Sequence, residues 1–285
     1  MSVERDPTPA TLPSLAANTS TGAAPLVLPA WLPLTVTLGY CVLLAIAELL
    51  TTFVDPMLGL VLHLLILLGL LGLTARWWQH PLHRFLLALV AGPLIRIMSL
   101  SLPLAGLPFI SWLLITSIPL FAAAFVTMQT LQLSRHDVGL IVRPTRRAWR
   151  TEGWIALTGI PLGFLEYVIL QPPPLVAGLD LQTTWFPIVV IFVSTGLMEE
   201  LVFRGVMQHT ALPVLGRWAI PIVALVFAIL HIGYQSWVDF GFVLGVGLLY
   251  GYLVQRTGSI LGVTISHGLI NSMLFVILPV VVQVR

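Results

Sequence analysis

Charge is scarce in this chain. Only 8% of its 285 residues are charged, lysine is absent, and all thirteen basic residues are arginine. With 58% hydrophobic residues, there is too little polar surface to cover a water-soluble domain of this length. The composition is that of an integral membrane protein. A formal net charge of +2 gives a nucleic-acid partner little support. Cysteine is nearly absent as well. Cys41 stands alone, which excludes an internal disulfide and a cysteine-based metal site. It reads as a small packing or lipid-facing residue. The N-terminal stretch lacks a basic start, a short apolar core and a small-residue cleavage site, so it does not read as a signal peptide.

What is present is a series of long apolar runs. A helix needs about 20 apolar residues to cross a bilayer. Runs of that order fall near 31–53, 56–75, 85–106, 109–133, 154–171, 185–209, 217–234, 240–254 and 259–282. The eighth is short and reads as tilted, broken or re-entrant. The expected fold is therefore all-α: a polytopic bundle of eight or nine transmembrane helices, with its active site inside the bundle. Residues 1–29, rich in Pro, Thr, Ser and Ala, read as a disordered cytoplasmic tail. Residues 30–133 form an N-terminal membrane region of four helices, 134–153 a basic cytoplasmic loop, and 154–285 a C-terminal membrane region.

Arginines set the orientation. With the tail inside, Arg5, Arg76, Arg84, Arg135, Arg143, Arg146, Arg147, Arg150, Arg217 and Arg256 fall on the cytoplasmic side, and only Arg285 on the other. Short loops and the lack of compartment signals suit a prokaryotic cell membrane. The glycosylation pattern Asn18-Thr19-Ser20 then lies on the wrong side for use.

Against this background, Glu199, Glu200 and Arg204 stand within six residues of one apolar run. Each such charge at a helix centre costs about 2.5–3.5 kcal/mol on insertion scales. Glu200 and Arg204 are four apart and share a helix face, so they are expected to pair as a structural unit. Glu199 points about 100° away and is left to face a cavity, where it suits a general base. On later runs, Phe227 and His231 are four apart, as are His267 and Asn271. Each pair shares a face. One carboxylate, two imidazoles and an amide from three helices can activate water and stabilise an oxyanion. Glu199, His231 and His267 would also form a zinc-type ligand set for that or another divalent metal. With no His-Glu-x-x-His helix in the sequence, metal-free activation with no required cofactor is preferred. Elsewhere, Arg96 is expected to pair with Glu48 or Glu166, and His63 and His209, with no spaced polar partner, read as interface or packing residues. Gly241, Gly245, Gly247 and Gly251 read as a close-packing stripe.

The series Glu199-Glu200-x-x-x-Arg204, Phe227-x-x-x-His231 and His267-x-x-x-Asn271 resembles the CAAX-processing and bacteriocin-processing (CPBP) intramembrane endopeptidases, over about residues 183–276. The resemblance implies that Glu199 is the catalytic glutamate and that His231 holds water with it. It implies an oxyanion site at His267 and Asn271, and a structural role for Glu200 and Arg204. It further implies hydrolysis near the C-terminus of a membrane-associated protein or peptide. Eukaryotic members cut prenylated C-terminal motifs, which the prokaryotic look of this chain does not support. The cavity is expected to be reached from the cytoplasmic side. The rival readings are a proton-coupled transporter and a non-enzymatic scaffold or immunity protein.

Overall fold

The computed structural model describes residues 29–102 and 106–283. The tail, read as 1–29, lies outside them except for Pro29. Every regular element among the described residues is helical. In chain order they are α1 (Leu32–Phe53), α2 (Pro56–Arg76), α3 (Leu82–Ser101), α4 (Phe109–Thr130) and α5 (Arg146–Leu170). These are followed by α6 (181–215), α7 (Ala219–Ile229), α8 (Trp237–Thr257) and α9 (Leu261–Val282).

Among the described residues, eight continuous stretches are long and apolar enough to span a membrane. The sixth, Leu181–Tyr234, has 54 residues, more than twice the ~20 that a crossing needs. It doubles back at Gly216, whose φ of 53° and ψ of −123° suit glycine alone. Its return arm, α7, accounts for the ninth expected run. The eighth run is no broken segment: α8 is continuous over 21 residues. Ser236 caps its start by accepting from Asp239 N at 3.2 Å, and Gly258 (φ 73°) ends it.

Local chemistry sets the other boundaries. Asp180 caps α6, accepting from Thr183 N at 3.0 Å and from the Thr183 hydroxyl at 2.8 Å. Those bonds hold its carboxyl below the usual range, the hydroxyl contributing most. Thr145 caps α5 through Ala148 N at 3.1 Å. The segment read as a loop over 134–153 is therefore irregular only as far as Thr145. Arginine is a good helix former, so a charged run that cannot lie in lipid can still begin a helix. Within α3, Pro93 has no N–H for the carbonyl of Leu89, and the Tyr40 hydroxyl donates to that oxygen at 3.1 Å.

The core lies at α6, α7 and α9. About half the residues in the most apolar windows of 181–234 and Leu261–Val282 are buried, against about a third in the other spans. On α1 and α2, Val42, Leu58, Leu65 and Leu68 face outward, as lipid-facing side chains do. Two glycines bring α6 and α9 together. A Cβ on Gly196 would lie 2.8 Å from the Thr264 carbonyl oxygen, and one on Gly268 would meet the Phe192 ring. The expected stripe on α8 is only half a packing surface. Gly247 meets Ala224 and Gly251 meets Ile220, whereas Gly241 and Gly245 meet nothing.

Arg96 pairs with Glu48 rather than Glu166. Its Nε donates to Glu48 Oε1 at 2.9 Å and its Nη2 to Oε2 at 2.5 Å. The same Nη2 donates to the Leu230 carbonyl at 3.0 Å, tying α3 to the end of α7. His63 is not a packing residue without a polar neighbour. Its Nε2 lies 3.3 Å from Glu48 Oε1, with both side chains fully buried. Cys41 is buried, in its packing reading.

Candidate active site

The acidic pair stands where α6 leaves regular α geometry. The helix is α-helical over Leu181–Ile191, then π-helical over Phe192–Leu197 and again over Leu201–Met207. Met198–Glu200 sits between the two wide segments. Wide turns bond i to i+5, place an extra residue in the turn, and recur at functional sites. One local cause is visible. The Thr195 hydroxyl donates to the Ile191 carbonyl at 2.7 Å, competing with the backbone ladder there. A third π segment, Met273–Ile277, follows directly after the part of α9 that carries His267 and Asn271.

Glu200 is fully buried and bonded on two sides. Its Oε1 accepts from Arg204 Nη1 at 3.0 Å and from His267 Nδ1 at 2.8 Å. Arg204 is itself only 2% exposed, and its guanidinium lies 4.4 Å from the centre of the Phe227 ring. The expected Glu200–Arg204 pair is therefore present. Glu200 also fixes a tautomer: a carboxylate only accepts, so His267 Nδ1 carries a proton.

Glu199 points elsewhere. Its side chain is 21% exposed, and its Oε2 lies 3.8 Å from His267 Nε2. His267 thus stands between the two glutamates, a position its spacing with Asn271 does not reveal. His231 follows the end of α7, where carbonyls lose their helical partners. Its Nδ1 donates to the Phe227 carbonyl at 2.8 Å. That leaves Nε2 as the acceptor nitrogen of the neutral ring. Phe227 sits between both imidazoles, 4.6 Å from the His231 ring and perpendicular to His267 at 6.0 Å.

Asn271 is held by a residue not singled out from the sequence. Its Nδ2 donates to Thr195 Oγ1 at 2.9 Å. Thr195 precedes Glu199 by four residues, so helical spacing alone places the two on one face. Thr195, Glu199, His231, His267 and Asn271 all line one cavity of about 330 Å³. That is far above the ~10–15 Å³ that one water requires. Behind it, Glu166 of α5 borders a small cavity of about 20 Å³ with Glu200, His231 and His267. Glu166 Oε2 is buried without a hydrogen-bond partner among the described residues.

The zinc-type alternative fits these positions poorly. Among the described residues, no three His, Cys, Asp or Glu side chains are disposed to hold one metal ion. Glu199, His231 and His267 share a cavity without forming a ligand set.

Residues 181–273, a third of the chain, match the family described as Type II CAAX prenyl endopeptidase Rce1-like. No match is found among curated proteins or among solved structures. The matched stretch contains Thr195, Glu199, Glu200, Arg204, Phe227, His231, His267 and Asn271, while Glu48, Arg96 and Glu166 lie outside it. The C-terminal region of this polytopic helical membrane protein is thus similar to a CAAX endopeptidase family over the very helices that carry its polar cavity.

Proposed function

We propose that this protein is an intramembrane endopeptidase that cuts a membrane-associated protein or peptide with a water activated by Glu199 and His231. The observation that carries this reading is convergence: side chains from α6, α9 and the end of α7 line one cavity inside the bundle. In the reaction, the water sits between the Glu199 carboxylate and His231 Nε2. Glu199 takes one proton, and the oxygen attacks the substrate carbonyl. Negative charge moves to the carbonyl oxygen as the tetrahedral intermediate forms. Asn271 has a second amide hydrogen beyond the one given to Thr195, and it donates that hydrogen to the oxyanion. Protonated His267 donates from Nε2 to the same oxygen, its orientation fixed by Glu200. The intermediate collapses, and Glu199 returns its proton to the leaving nitrogen. No step passes through a metal ion.

The test is a comparison of membrane-protein termini in cells carrying the wild type and Glu199→Gln. New termini are expected in the wild type alone. Losing the general base lowers the rate by about 10²–10⁴, with the thermal midpoint unchanged. Termini that persist at the wild-type rate with Glu199→Gln remove the base assignment. Proton-coupled flux in proteoliposomes, lost with the same variant, would instead support a transporter.

A further inference from the structure

The two ends of the bundle differ in charge. At one end lie Arg76, Arg84, the 131–145 connection, Arg217 and Arg256. Contacts hold that end together: Arg84 donates to the Leu131 carbonyl at 2.8 Å, and Ile260 N to the Gly139 carbonyl at 2.9 Å. The other end holds the turn at Asp55, the 171–180 connection and the turn at Gln235. It is tied by Leu175 N donating to the Phe275 carbonyl at 3.1 Å and by the Arg96 bond to Leu230. Its described connections carry Asp55 and Asp180 and no arginine.

The 330 Å³ cavity belongs to the end whose described connections carry no arginine. It is bordered by Ser99 late in α3, Phe109 and Trp112 at the start of α4, and Gly233 and Tyr234 beyond the end of α7. Tyr234 at its edge is 45% exposed. A separate cavity of about 270 Å³ opens at the arginine end and reaches Arg204, but Glu199, His231, His267 and Asn271 do not line it. Short connections rich in arginine stay in the cytoplasm. Cytoplasmic arginines and access from the cytoplasm, both expected from the sequence, are therefore incompatible in this fold.

We infer that the cavity opens to the non-cytoplasmic side of the membrane, and that its substrate is an apolar segment of a membrane-anchored polypeptide at that face. Phe109, Trp112, Leu113, Phe203, Phe227 and Phe275 give the lining its apolar character. The substrate half rests on the endopeptidase reading; the orientation half does not. A prenylated C-terminal motif displayed in the cytoplasm does not meet this entrance.

Two measurements test the halves separately. In a Cys41→Ala background, single cysteines are placed at Gly233 beside the cavity, Ala177 on the same end, and Arg143 on the other. A Cβ at Gly233 has room, its nearest neighbour being Arg96 Nη2 at 3.6 Å. A membrane-impermeant maleimide should label G233C and A177C in intact cells, and R143C only after permeabilisation. The reverse pattern at Ala177 and Arg143 overturns the orientation, even if G233C fails to fold. Termini lost in Glu199→Gln cells should map to the non-cytoplasmic ends of membrane segments. Cytoplasmic cut sites overturn the substrate assignment. An absence of any Glu199-dependent cut refutes the endopeptidase reading and the substrate half with it, while the labelling result stands.

Discussion

Replacing Arg204 with methionine isolates the cost of the buried charge pair beside the cavity. Arg204 is 2% exposed and Glu200 fully buried, and they meet at 3.0 Å. Removing one partner of such a pair leaves an uncompensated charge and costs about 3–5 kcal/mol. The double variant Glu200→Gln/Arg204→Met removes both charges, and the new amide oxygen can still accept from His267 Nδ1. It should recover to within about 2 kcal/mol of the wild type, the remainder being the lost Arg204–Phe227 cation–π contact. Chemical unfolding in detergent reads these differences, and nine tryptophans supply the fluorescence signal. Wild-type stability in Arg204→Met, or a double variant no more stable than that single one, would refute the charge-pairing account.

Further outcomes are expected at neighbouring positions. Thr195→Val deprives Asn271 of its acceptor; a hydrogen bond worth about 0.5–1.5 kcal/mol in the transition state predicts a several-fold loss of kcat with KM little changed, and Thr195→Ser should restore it. Gly196→Ala forces a methyl against the Thr264 carbonyl and should destabilise the protein by about 1–3 kcal/mol. Gly241→Ala, in open space, should leave stability unchanged or raise it by up to ~1 kcal/mol in thermal melts. Exchanging the charges of Arg96 and Glu48 should recover folding lost in either single variant, whereas exchanging Arg96 with Glu166 should not, as expression and melting would report.

The spans are legible in the sequence because lipid asks little of an outer helix beyond length and apolarity. One boundary escapes that rule: Arg146 begins a helix although its neighbours are charged, since Thr145 supplies a cap. The turn at Gly216 falls in the gap between the 185–209 and 217–234 runs, although the helical stretch there is nearly continuous. At the site, helical spacing suffices for Glu200 with Arg204. It does not reveal His267 between the glutamates, because that contact joins residues 67 apart. Thr195 and the side of the cavity were both readable. Thr195 lies one turn before Glu199, and His231 lies near the far end of the 217–234 run from Arg217. Hydropathy alone gives no view of the π segments, and the expected angle of about 100° between Glu199 and Glu200 is that of a regular helix.

Those wide turns give α6 an unusual tolerance. A π segment holds one residue more than the ladder needs. Shortening 201–207 by a single residue can be absorbed as ordinary helix, so insertion and overall architecture survive. Everything beyond the excision is then rotated relative to Glu200, and Gln208, whose Nε2 donates to the Gly251 carbonyl at 2.9 Å, leaves its place against α8. Insertion and the proposed cleavage would part company in such a variant: a chain seated in the bilayer, with the return arm that carries His231 displaced from Glu199.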